Sequence, residues 1–409
     1  MTAPNRRRWF GPAQSARAIT AWTTGLLLSA ALPQYLGSSL VVEMRDDFVI
    51  GDAVLGTAIA LSFGLSALIS PVAGRALTRT GIRAGLLSSA AIVTVASIGL
   101  ATIANSAAMV VALMALNGIG SGIASPSYSA LLAVKVHSAR HGTAFGLLTS
   151  APQIAAFSGG LALPLVAEPL DWRVTFAAAA ALGVVCALAL ESSGLPRAAV
   201  REPGEESPGP HPRPHASIWT LACATACMSA AGIGMRTFLV VFAVSIGLSD
   251  ASAGFLLAAS GGIALASRIG FGFLADKRGG DPLVQASWLM LLCALGLVMM
   301  AFGGTALAVV GAMLAGGLGW GWNAPLSLAI VTQNRAAVGA AVGIQMSGFY
   351  IGATVGPLAV GFLADHVGFE TAWLVCAGSA VAGAAATMLA RRQSRAPALE
   401  AVQEDFPLH

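Results

Sequence analysis

One pattern is written twice in this chain, about half its length apart. Gly74 to Arg83 reads GRALTRTGIR, and Gly272 to Asp281 reads GFLADKRGGD, 198 residues later. Gly118, Gly120, Gly122 and Pro126 recur as Gly317, Gly319, Gly321 and Pro325, at an offset of 199. Gly142, Gly146, Ser150 and Gly159 recur as Gly339, Gly343, Ser347 and Gly356, at an offset of 197. Three signals in one order at nearly one spacing describe a duplicated half, so the fold is expected to be built from two related units.

The solvent of those units is lipid. Of 409 residues, 56% are hydrophobic and 10% charged, which is more apolar surface than one soluble core hides. Apolar stretches of about twenty residues, enough to cross ~30 Å of hydrocarbon, recur along the chain. They predict spans near 18–41, 53–74, 84–104, 106–128, 143–166, 173–190, 218–245, 252–274, 283–303, 305–330, 337–362 and 370–390. The runs are long and lack the alternation of barrel strands, which selects helices. The expected fold is an all-α membrane protein, with twelve transmembrane helices in two pseudo-symmetric six-helix bundles. The bundles are residues 1–190 and 217–395. A Pro-rich, charged cytoplasmic linker at 191–216 joins them, and a cytoplasmic tail at 396–409 reads as unstructured. Arg6-Arg7-Arg8 precedes a full-length apolar run with no cleavage site, so the first run reads as a membrane helix and not as a signal peptide.

Charge then sets the orientation. With the N-terminus inside, eighteen Lys and Arg fall on the inner side and only Arg45 and Arg173 on the outer. That bias puts both termini in the cytoplasm and the chain in the cytoplasmic membrane. The net charge of +4 reports this orientation, and no nucleic-acid partner is expected. The five cysteines all lie within spans. Cys223 and Cys227 share a helix face but no His joins them, so neither a metal site nor a disulfide is expected. His211 and His215 read as parts of a solvated loop, and Trp9, Trp22, Trp172, Trp219 and Trp373 as interface anchors.

The repeated loop carries a family resemblance. Gly272, Asp276, Lys277 and Gly279 resemble the cytoplasmic loop motif of the major facilitator superfamily, and Gly74, Arg79, Gly81 and Arg83 match it in the first half. Thr78 stands where the motif has Asp. The resemblance covers the whole chain and implies alternating access between two halves. It also implies that Asp276 faces the start of span five, near Arg140 and Gly142, when the inner side is closed. A carboxylate there meets the positive end of a helix. Thr78 would face span eleven with a hydrogen bond only, giving an asymmetric inner gate. Arg268, Gly272, Ala275 and Asp276 further resemble span eight of the monocarboxylate and oxalate/formate branch, where the Arg binds a carboxylate. That branch often has an Asp one turn earlier, where this chain has Ala264.

Sorting ionisable groups by depth leaves two within the spans, Arg236 and Arg268. All eighteen acids fall near interfaces or in loops. Each Arg costs about 2.5–3.5 kcal/mol at a helix centre, and the side chains lean from opposite sides toward the midplane. Two such costs without a fixed carboxylate point to an anionic substrate as the missing counter-ion. Tyr35, Gln153, Asn323, Gln345 and Tyr350 are the expected binding shell, with Gln34, Asn117, Tyr128, Trp320 and Trp322 as further polar groups in the spans. Gln153 and Tyr350 are repeat-equivalent, as a pseudo-twofold site requires.

An enzyme would need a nucleophile, metal cluster or acid/base pair, and a primary pump would need a phosphate loop. Neither pattern is present, and no cofactor is expected. The leading expectation is a monomeric carrier of a small, carboxylate-like organic anion. Efflux of drug-like neutral compounds by proton antiport, or carriage of a small inorganic anion of the cyanate/nitrate type, are the alternatives. Asp276→Asn is expected to change the transport rate and the balance of inward and outward states; labelling of single cysteines on each side measures it.

Overall fold

A computed structural model describes residues 16–135, 150–192, 215–278, 280–334 and 337–405, and the regular elements among them are helices. The first group is α1 (Ala16–Ser39), α2 (Val41–Asp47), α3 (Asp52–Thr80), α4 (Ile82–Thr102), α5 (Ala107–Lys135), α6 (Ala151–Ala162) and α7 (Trp172–Ser192). The second is α8 (Ser217–Ser245), α9 (Asp250–Arg278), α10 (Pro282–Phe302), α11 (Thr305–Ala312), α12 (Asn323–Gln333), α13 (Val338–His366) and α14 (Phe369–Asp405).

Ten of these elements, taking Thr305–Gln333 as one, are long and apolar enough to cross a membrane. The pair α1–α2, bent by 64° at its break, makes an eleventh. The apolar helix Ala151–Ala167 is shorter, and residues 136–149, where the fifth span was expected to begin, lie outside the described residues.

Several stretches differ from the expected straight spans, among them a π turn at Leu163–Ala167 that ends the fifth. The first bends after Ser39, so its end runs as a separate short helix. The tenth is broken: α11 passes into a π turn at Met313–Leu318 and a 3₁₀ turn at Gly319–Trp322 before α12 begins. Gly316, Gly317, Gly319 and Gly321 fall there, and a run of glycines holds regular α winding weakly. The last helix continues to Asp405, through residues expected to be an unstructured tail. Ala, Leu, Glu and Gln dominate that stretch and favour helix.

Packing builds two groups and then joins them. Within the first, α5 packs on α3 and α4, and α1 on α6 and α7; within the second, α13 and α14 enclose α8, and α10 lies on α14. The α8–α13 contact is tight because Gly348, Gly352 and Gly356 face the carbonyls of Ala222, Ala226 and Ala230, where any Cβ would collide. The groups meet along α3–α13, α6–α9 and α1–α8. Of the tryptophans expected as interface anchors, Trp219 is exposed, while Trp172 and Trp373 are buried. Trp172 donates to Asp47 at 3.1 Å, and Trp373 stacks on Phe369 and meets Phe242 edge-on.

The two groups close on each other at one end. Asp365, at the end of α13, accepts the backbone N–H of Asp52 at 3.1 Å and of Ala53 at 2.8 Å. It therefore caps the first turn of α3 with a negative charge. Arg45 pairs with Asp52 at 2.5 Å and donates to the Ile50 carbonyl at 2.9 Å, fixing the same turn from α2. Beneath it, Gly56 lies under the Pro357 carbonyl and Gly361 under that of Asp52. Toward the opposite end, Gly270 and Gly343 face open space, and α3 borders a crevice at Arg75, Ala76, Arg79 and Thr80.

That opposite end carries the repeated loop. Gly81 has φ 88°, a backbone that residues with a Cβ rarely adopt, and it reverses the chain between α3 and α4 in one residue. Two residues on, Arg83 pairs with Glu191 at 2.8 Å, tying α4 to the end of α7. In the second half, Asp281 pairs with Arg391 at 2.6 Å, tying α10 to α14. Arg83 and Asp281 hold equivalent places in the repeat, so the two ties have opposite polarity. Asp281 also caps α10 through the Leu283 N–H.

A charge capping an exposed helix start stabilises by about 0.3–1 kcal/mol. Asp365→Asn is therefore expected to populate the opened Asp365 end about two- to fivefold more. The labelling rate of a Leu55→Cys thiol in a cysteine-free background reports this, and an unchanged rate would leave the cap without a role in closure.

Candidate functional site

The buried charges lie where the two groups meet. Arg236 sits on α8, 2% exposed, nine residues before the helix ends at Ser245. Its Nη2 donates to the Gly316 carbonyl at 2.5 Å. Gly316 belongs to the π turn, and the change from π to 3₁₀ winding directs carbonyls at side chains instead of along the helix. The neighbouring Gly317 carbonyl likewise accepts from Ser267 of α9. Over one face of the Arg236 guanidinium lies the Trp320 ring, 4.5 Å from its centroid to Cζ. Trp322 meets Trp320 edge-on at 6.0 Å.

The other sides of Arg236 meet the Tyr35 hydroxyl and a narrow crevice. Nε and Nη1 are buried with no hydrogen-bond partner of good geometry. The Tyr35 hydroxyl faces the same group from α1, and a small crevice between α1, α3 and α8 opens beside it. Gln34, Tyr35, Ser38 and Thr237 give this crevice polar walls, and Ile59, Phe63 and Ile233 give it apolar ones. Ser38 and Thr237 spend their protons on their own helix backbones, and Gln34 donates to Ser62 at 2.8 Å. Arg236 is thus the charged donor at this crevice, and no carboxylate among the described residues pairs with it.

Arg268 is placed differently. It projects from α9 and is half-buried. It donates to Gln153 of α6 at 3.4 Å and to Asn323 of α12 at 3.1 Å, and so bridges the two groups through neutral oxygens. Its charge stands close enough to Arg236 for the two to repel, and Tyr35 feels both.

Among the expected shell residues, Tyr35 therefore gathers at Arg236, and Gln153 and Asn323 at Arg268. Tyr350 pairs instead with Ser125 of α5, and Gln345 is 1% exposed with Nε2 unpartnered. Neither makes a hydrogen bond to Arg236. Asn117 donates to the Ala30 carbonyl, and Tyr128 is buried in the core of the first group. The Gly316 carbonyl, Ser38, Thr237 and the apolar wall were not foreseen. The glycine density of 316–321 was the one sequence sign of the freed carbonyls.

Of the loop motif, Gly74 packs near Pro126, Gly81 makes the turn, Arg79 borders the open crevice and Arg83 pairs with Glu191. The side chains of Thr78, Asp276 and Lys277, together with Gly279, Arg140 and Gly142, lie outside the described residues. The backbone from Gly272 to Arg278 is helical. His211 also lies outside them. His215, expected in a solvated loop, hydrogen-bonds Ser217 through Nδ1 and donates its N–H to Asn334.

Apolar helices in two packed groups, with charge where they meet, describe a multi-pass membrane protein, and the family match makes it a transporter and not an enzyme. The family model described as the Major Facilitator Superfamily matches residues 16–337, and the chain belongs to that superfamily. A search of the curated proteins finds no match. Among solved structures, the chain is similar to a bacterial homolog of the human lysosomal transporter Spinster in its inward-facing, unoccupied conformation. The TM-score is 0.74 and the identity 15%, over 94% of this chain and 97% of that one. The occupied inward-facing form of that homolog gives a TM-score of 0.69 at 14% identity, with the same coverage. At such identities the likeness is one of fold.

Proposed function

We propose that the chain carries a small, carboxylate-like organic anion across the cytoplasmic membrane by alternating access. In this reading it works as a monomer in the bilayer, with both termini in the cytoplasm. Twelve spans form two pseudo-symmetric six-helix halves, and the Gly81 end is cytoplasmic. The halves rock about the region of Arg236 and Arg268, and the energy comes from substrate or ion gradients.

One observation carries the substrate class. Arg236 is a buried cation whose side-chain partner is the neutral Tyr35 hydroxyl and whose Nε and Nη1 make no well-aligned hydrogen bond, beside a crevice that both halves line. A charge held this way wants an acceptor, and a carboxylate supplies two oxygens on one carbon for charge-assisted hydrogen bonds. A cationic substrate would meet repulsion from both arginines. Ile59, Phe63 and Ile233 would offer the body of the anion an apolar wall once the crevice, about 10 Å³ in this state, widens. Arg268 reaches Gln153 across the halves and adds a second positive charge near this crevice. The resemblance of its surroundings to the monocarboxylate and oxalate/formate branch supports the same class.

The test is uptake of formate, acetate, oxalate, benzoate and nitrate into proteoliposomes. At least one organic acid should be taken up saturably. Removing one partner of a buried pair costs about 3–5 kcal/mol, so Arg236→Gln should lower its uptake about a hundredfold or more. Arg236→Lys should recover only part of it. Uptake of nitrate alone would favour the inorganic-anion alternative. Transport of neutral compounds that is indifferent to Arg236 would sink the anion reading.

A further inference from the structure

Trp320 stands in a slot made for it. A Cβ added at Gly232 would collide with the six-membered edge of the Trp320 ring, so the ring lies against bare α8 backbone one turn before Arg236. It is 4% exposed, packed with Ile233, Ala264 and Ala353, and set at the point where the 3₁₀ turn follows the π turn. Its face covers the Arg236 guanidinium at 4.5 Å, while the Gly316 carbonyl, four residues earlier on the same segment, takes Nη2. The broken segment thus holds one side chain twice, by its plane and by one edge. What remains to a ligand is the in-plane approach to one edge, Nε or Nη1 taken with the second proton of Nη2, since Nε and Nη1 point to different sides of the group.

We propose that Trp320 is a positioning residue of the anion site, fixing the plane of Arg236 so that a planar carboxylate meets it edge to edge, with Gly232 supplying the room this requires. The proposal rests on the anion reading above. A guanidinium is planar and binds a carboxylate in its own plane, so a free rotation about its last bonds would blunt both affinity and choice of shape. An aromatic face removes that rotation, because the ring quadrupole favours a cation lying over it. A tetrahedral oxyanion gains less from a fixed plane. Trp320 therefore acts on selectivity as well as strength. Gly232 has a similar logic. Any side chain there pushes the ring away and frees Arg236 without touching either charge.

The experiment is concentration-dependent uptake of acetate, oxalate, benzoate and sulfate by the full chain in proteoliposomes. Variants are Trp320→Phe, Trp320→Leu, Gly232→Ala, the Gly232→Ala/Trp320→Leu pair and Arg236→Gln. Trp320→Leu should raise the half-saturation concentration for a transported carboxylate about tenfold with maximal rate retained within about threefold, and should narrow the preference over sulfate. Trp320→Phe should restore most of the affinity. Gly232→Ala should resemble Trp320→Leu, and the pair should be far less than additive because both act through one contact. Equal half-saturation in Trp320→Leu and the wild type, with Arg236→Gln inactive, would overturn the positioning role and leave the anion reading standing. Full activity of Arg236→Gln would overturn both. A loss common to Trp320→Phe and Trp320→Leu, confined to maximal rate, would make Trp320 a packing residue and also overturn the proposal.

Discussion

Keeping Arg236 charged inside a helical bundle is the constraint to which the surrounding structure answers. A guanidinium at that depth costs about 2.5–3.5 kcal/mol on insertion scales. One hydrogen bond to a charged group returns about 1.5–3 kcal/mol, and an aromatic face about 0.5–2. The two together are of the same size as the cost, so the residue is tolerable at rest yet still has donors to spare. Both returns come from one segment, Met313–Trp322, and need it to leave α winding. A regular helix would have kept the Gly316 carbonyl for its own backbone and turned Trp320 elsewhere. The irregular backbone is tolerated at membrane depth because protein surrounds it on α8, α9 and α10.

Around that fixed charge the two groups touch with unequal intimacy at their ends. At the Asp365 end, backbone lies on backbone through Gly56 and Gly361, and a carboxylate seals the first turn of α3. At the Gly81 end, glycines on α9 and α13 look into open space. In the proposed alternating access, the halves would exchange one set of end contacts for another, and each set needs to be worth only a few kcal/mol for both states to be populated. Exposed caps and ion pairs suit that role because their worth is small. The residues between the ends, Arg268 with Gln153 and Asn323, bridge the groups through neutral oxygens.

Much of this was legible from the chain, for physical reasons. Apolar length and repeat spacing give helices, and depth counting found Arg236 and Arg268 because a buried charge is rare enough to stand out. Gly81 was readable from the motif and does make the positive-φ turn. What escaped is what depends on backbone direction. The carbonyl of Gly316 has no side chain to announce it, and the π and 3₁₀ windings follow from packing on Cys293 and Ser260 as much as from local propensity. The bend after Ser39 follows Gly37-Ser38, a pair that weakens helical winding, but nothing in the pattern said that the chain would turn there by 64°. Trp172 and Trp373 have the composition of interface anchors; only the fold tells that Asp47, Phe369 and Phe242 cover them. Gln345 and Tyr350 were chosen for polarity at plausible depth, and polarity alone does not say which way a helix face turns.

The two ties of reversed sign, Arg83 with Glu191 and Asp281 with Arg391, have a historical consequence. If both halves descend from one ancestral unit, at least one pair changed the sign of both partners after duplication. Each such path runs through a like-charged or half-neutral intermediate. At these partly exposed positions a pair is worth about 0.2–1 kcal/mol, so the intermediate is survivable. Because each tie lies wholly within one half, neither copy constrains the other's sign. Inheritance at this end kept the presence of a brace between two helices and let its chemistry drift. The N-terminal brace is also complete once Glu191 has been synthesised, before any of the second half exists. This brace therefore asks nothing of the second half.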